Sequence, residues 1–147
     1  MQTLTRVATE VALKFLDGLT AWLPSVRKEP AHLKTGRRGE EEAYFYLRKH
    51  GYVIVAKNWR GGGKGELDLI GWEGKTLCFI EVKTRGSRGE IPAEAAVGMK
   101  KRDDLVATAR LYRRRVAPET PHRFDVVSVY LGKNIEIDLM RGAFQER

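Results

Sequence analysis

An α/β fold, in which helices flank a mixed sheet, is predicted by three observations. Segments of helical periodicity and segments rich in Val, Ile, Phe and Tyr follow one another in the order helix, three strands, helix, two strands. Two of those strands, residues 66–70 and 77–83, are separated by the turn-forming run Gly71-Trp72-Glu73-Gly74-Lys75-Thr76, which marks a hairpin. The 147 residues, 42% of them hydrophobic, suffice for one ordinary core, so a single domain with appendages is expected.

Residues 4–23 place Val7, Val11, Phe15, Leu19 and Trp22 on one stripe at helical spacing, and Pro24 and Pro30 close the segment. An amphipathic helix is expected there, its stripe used for packing on the core, for a partner or for a membrane surface. Residues 24–36, with two prolines and mixed charges, read as a linker, which divides the chain into an appendage, 1–34, and a main domain, 35–147. A helix over 38–49 turns Ala43, Tyr46 and Leu47 inward and stops at Gly51. Residues 52–59 read as a strand, 61–65 as a glycine-rich loop and 65–84 as the hairpin. The loop lacks the GxxxxGK[ST] spacing of a phosphate cradle and runs into a strand rather than a helix. A long basic helix is expected from 93 to about 116, then a strand at 124–130, a Gly132-Lys133-Asn134 turn and a short strand at 135–139.

The formal charge of +8 and the isoelectric point near 9.8 favour a polyanionic partner. The lone cysteine, Cys78, can form no intrachain disulfide; this fits a reducing cytosol, and a cytoplasmic location is expected. No run of about 18 uninterrupted apolar residues exists, so no membrane span is expected. Lys14 and Asp17 interrupt the sole apolar stretch that a secretory signal could use.

The chemistry lies in the hairpin. Strand side chains alternate between faces, so Glu81 and Lys83 share one face while Ile80 and Val82 share the other. A four-residue loop over 73–76 pairs Trp72 with Leu77 and sets Asp68 opposite Glu81, Cβ atoms roughly 5 Å apart. Two carboxylates so placed repel, and a divalent cation between them removes the repulsion. Hard oxygen ligands of this kind suit Mg²⁺, which is held by one or two carboxylates together with waters and substrate phosphate. Lys83 is then a cation aimed at the same phosphate. A bare Glu-x-Lys carries no weight, since Glu73-Gly74-Lys75 in the turn is a second copy; the position of Asp68 across the hairpin separates the two.

In this context the chain resembles the PD-(D/E)XK, or restriction-endonuclease-like, nuclease superfamily. The succession GxxGExxA, GELDLI, FIEVKTR and RFDVV, from about Thr35 to Leu139, is similar to the YraN-like family of small bacterial proteins, related to archaeal Holliday-junction resolvases. The resemblance implies a restriction-endonuclease-like sandwich and a catalytic site of Asp68, Glu81 and Lys83, with Glu40 matching the helix glutamate of the resolvase-like branch. Metal ligands are implied at Asp68 and Glu81, with the carbonyl of Val82 and Glu40 beside them, for Mg²⁺ or Mn²⁺. Leu67 stands where the wider superfamily has a proline before its first aspartate.

The function expected on this basis is metal-dependent hydrolysis of phosphodiester bonds in DNA, branched structures included, with no small-molecule cofactor and with a homodimer left open. Thr84, Arg85, Arg88, Lys100, Lys101 and Arg102 are the expected contacts to the nucleic-acid backbone. Simpler readings exist: a cross-strand ion pair of Asp68 with Lys83, or Glu40 as a first-turn charge complementing its helix dipole. At the level of function the alternatives are a catalytically silent nucleic-acid-binding module and a membrane-surface or partner adaptor that acts through the N-terminal helix with the domain as scaffold.

Overall fold

The computed structural model describes residues 30–63, 65–88 and 97–146. The helix expected over 4–23 and the beginning of the one expected from 93 lie outside these residues. The described elements are α1 (Ala31–Lys49), β1 (Tyr52–Trp59), β2 (Leu67–Glu73), β3 (Thr76–Arg85), α2 (Met99–Arg113), β4 (His122–Leu131) and β5 (Ile135–Phe144). The strands form one mixed sheet in the order β1-β2-β3-β4-β5. Neighbours are antiparallel except β3 and β4, which run parallel and are joined through α2, the kind of long crossover that a parallel pair requires.

The pleat of the central strands sorts the core into two layers. Phe79, Phe124 and Val126 pack with Leu105 and Ala109 of α2. Their chain neighbours Cys78, Ile80 and Val127 pack with Ala43 and Leu47 of α1. The two helices therefore cover opposite faces, and residues 77–82 of β3 are buried on both. Cys78 packs as a small hydrophobe, its thiol pushed up to about 12, chiefly by burial. No helix among the described residues is long and apolar enough to cross a membrane.

Three boundaries differ from expectation for physical reasons. α1 starts at Ala31, so most of the expected linker after Pro30 is helical; a proline suits a helix start, and Gly36 alone is too weak a breaker to delay it. The hairpin is tighter than the expected four-residue loop. Glu73 pairs with Thr76, leaving a two-residue turn in which Gly74, at φ 58°, takes the positive-φ first position of a type II′ turn. The register is nevertheless the expected one, with Trp72 opposite Leu77. β5 continues past Leu139 to Phe144 because a register shift between Phe124 and Val126, with Gly142 at φ 62°, absorbs two extra residues of β5 as a bulge.

Gly39 fixes how closely α1 meets β3, since a Cβ there would overlap the side chain of Thr84. Gly39→Ala is therefore expected to lower stability by about 1–3 kcal/mol, overpacking outweighing the gain in helix propensity. The midpoint of urea unfolding measures it, and a raised midpoint would show that the helix can move away freely.

Candidate active site

The β2–β3 ladder runs in register from Glu73↔Thr76 to Leu69↔Ile80, and Asp68 and Glu81 are the next residues on each strand. There the backbone ladder gives way to a side chain: Asp68 Oδ2 accepts the N–H of Val82 at 2.7 Å. On the other side of β2, the pairs Lys57↔Leu69 and Trp59↔Leu67 bracket Asn58 and Asp68. Glu81 in turn lies beside Val126 of β4. Asn58, Asp68 and Glu81 thus occupy successive positions across three adjacent strands.

Glu81 is 4% exposed and is bracketed by two lysines. Its Oε1 pairs with Lys83 Nζ at 2.8 Å, and its Oε2 lies 3.6 Å from Lys101 Nζ, which extends from the first turn of α2. The second contact is longer than a hydrogen bond, and Oε2 is a buried oxygen with no hydrogen-bond partner. The Asp68 carboxyl is pushed up to about 7, first by burial and then by the facing charge of Glu81, with the Val82 N–H and Lys101 opposing. The simpler reading of Asp68 and Lys83 as partners is not what the site shows, because Lys83 is engaged by Glu81.

Glu40 sits in the middle of α1 rather than in its first turn, so the helix-dipole account of it fails. Burial raises its pKa, a hydrogen bond from Asn58 opposes the rise, and the charges of Glu66 and Glu81 add to it. It therefore feels the same field as the strand carboxylates. Among the described residues no three His, Cys, Asp or Glu side chains stand close enough to hold a metal by themselves. A cleft of about 330 Å³ runs beside Glu40 and Asn58, floored by Leu69. A larger one of about 430 Å³ lies between α2 and the end of β5, and neither cleft is lined by Asp68 or Glu81.

Sequence reasoning missed Asn58 and Ser128. Asn58 has φ 49°, a left-handed conformation that asparagine tolerates better than most residues. The visible signal was an amide, next to Lys57, in an otherwise apolar strand. Ser128 pairs with Lys83 in the parallel ladder, and its Oγ is buried without a partner.

The expected backbone contacts are dispersed. Lys101 belongs to the carboxylate cluster, Lys100 is exposed, and Thr84 packs against Gly39 of α1. Arg102 donates from Nε to the Val97 carbonyl at 2.8 Å and lies over the Phe144 ring. Arg88 is held by Glu136 and Asp138 of β5 at 2.7 and 2.9 Å. Arg85 follows Thr84 at the half-buried end of β3.

Residues 39–129 match the sequence model of a family described as Uncharacterised protein family UPF0102. A UPF0102 protein of Koribacter versatilis is 56% identical over 95% of this chain and 96% of its own length. One from Solibacter usitatus is 48% identical over 74% of this chain and 84% of its own. Another, from Caldicellulosiruptor saccharolyticus, is 41% identical over 74% and 95% respectively.

Proposed function

Since the chain belongs to the UPF0102 family, across a matched span that contains Glu40, Asp68, Glu81, Lys83 and Lys101, we propose that it is a divalent-metal-dependent endodeoxyribonuclease of the PD-(D/E)XK type, with a restriction-endonuclease-like fold and branched DNA among its substrates. The observation that carries this reading is the buried, unpartnered oxygen of Glu81 beside Asp68. A carboxyl whose proton affinity is raised by burial and by the facing charge of a second carboxylate, the second with an orphaned oxygen, fits a hard cation that keeps most of its own waters.

Asp68 and Glu81 would hold Mg²⁺ or Mn²⁺, with the Val82 carbonyl adjacent. The ion supplies Lewis-acid polarisation of a phosphoryl oxygen and an acidified water. Lys83, fixed on the same face of β3 as Glu81, presents positive charge where charge builds on the phosphate. Glu40, hydrogen-bonded by Asn58 and sensing the charge of Glu81, would take or hold a proton beside the site, because burial has weakened its acidity. The net charge of +8 supports a polyanionic substrate.

Purified protein incubated with branched, single-stranded and duplex DNA in Mg²⁺ or Mn²⁺ tests the proposal. Cleavage is expected to require metal and to fall at least about a hundredfold in Asp68→Ala. Absence of such cleavage, together with salt-sensitive binding that survives Asp68→Ala and Glu81→Ala, would establish the silent binding module instead.

A further inference from the structure

We propose that Lys101 is the site's resident counter-ion: in the metal-free protein its ammonium occupies the side of Glu81 that a divalent cation takes, and metal entry displaces it toward the substrate phosphate. The inference rests on the metal reading above and adds a residue that no strand motif contains.

The geometry separates the two lysines. Lys83 is on the same strand as Glu81 and holds Oε1 at 2.8 Å. Lys101 reaches Oε2 from another element, at 3.6 Å, without making a hydrogen bond. Its side chain is 39% exposed, against 30% for Lys83, and it stands in the first turn of α2, a turn that carries no acidic residue. An ammonium on a flexible four-carbon stem is a strongly hydrated point charge, easily exchanged for another cation. Oε2 has desolvation to compensate and no hydrogen bond that does so, so a stronger ligand for it is favoured. The displaced ammonium remains tethered within a side-chain length of the site, where it meets the anion that the metal binds.

Lys101 thus competes with the metal and does not ligate it. Titration calorimetry with Mn²⁺ alone, in the absence of DNA, decides the matter on the full chain. Lys101→Met is expected to tighten Mn²⁺ about tenfold, within the usual range of coupling between competing sites. Lys100→Met removes the same charge from the exposed neighbouring position and is expected to leave the affinity within about twofold, which separates displacement of one ammonium from a general field effect. Lys101→Gln serves as a second removal of the ammonium should the methionine variant associate.

An unchanged or weaker affinity in both Lys101 variants would overturn the inference while leaving the metal site intact. So would equal tightening in Lys100→Met. If the unmodified protein shows no Mn²⁺ binding that Asp68→Asn abolishes, the metal reading itself falls and this inference with it.

Discussion

Asp68→Asn is expected to stabilise the metal-free protein at pH 8 by about 1–3 kcal/mol while reducing metal-dependent cleavage at least about a hundredfold. Burial and the charge of Glu81 raise the Asp68 pKa from 3.8 to about 7 in the folded protein. Below pH 3.8 the carboxyl is protonated in the folded and unfolded chains alike. Between 3.8 and about 7 the folded state keeps a proton that the unfolded state has released, so stability falls as pH rises. Above about 7 the whole penalty stands. Asparagine carries no charge at any of these pH values, and its side-chain oxygen can still accept the Val82 N–H. The variant's advantage is therefore expected to be large at pH 8 and much smaller at pH 5, as read from urea midpoints. An equal difference at the two pH values would count against a buried charge as its origin. A variant that is more stable and inactive is the usual signature of a site held under electrostatic strain for function.

How much of this site was legible in the sequence depended on how local each relation is. Asp68 and Glu81 could be placed opposite each other because a short hairpin has few registers, and strand alternation then fixes every side chain. Their charges also stood out against apolar neighbours. Asn58 was not legible, because its importance arises only from the pairing of β1 with β2; by itself it is a poor strand former in a strand. Lys101 read as one of several basic residues near a helix start, and only the β3–α2–β4 crossover brings it to Glu81. Glu40 was assigned a competing role from helix polarity that disappeared once α1 began at Ala31. Arg88 read as a phosphate contact, whereas its carboxylate partners come from β5, a strand whose pairing with β4 includes a bulge that local pattern does not show.

The largest loss of stability is expected at a carboxylate outside the proposed site. Asp125, in the RFDVV block, is 0% exposed and fully engaged. Its Oδ1 accepts Arg123 Nε at 2.8 Å and the Gly142 N–H at 2.9 Å, and its Oδ2 accepts the Tyr52 hydroxyl at 3.1 Å. Arg123 also reaches the Tyr52 hydroxyl at 2.9 Å and pairs with Glu73, which Arg141 holds at 2.8 Å. Burial opposes the Arg123 charge, yet the bonds it donates to Asp125 and Glu73 outweigh it and raise its pKa. Asp125→Ala leaves that guanidinium and the Tyr52 hydroxyl short of partners, at an expected cost of about 3–5 kcal/mol, a large share of a typical domain's stability. The double variant Arg123→Met, Asp125→Leu is expected to recover part of the loss in urea unfolding, since removing both charges leaves neither uncompensated. A cost under about 1 kcal/mol for Asp125→Ala would mean that the network is incidental. The sheet thus carries two buried carboxylates of opposite design. Asp125 has every oxygen satisfied and ties β1, β4 and β5 together. Glu81 keeps one buried oxygen unpartnered, and that incompleteness, more than the presence of charge, distinguishes the end of the sheet proposed to bind metal from the structural one.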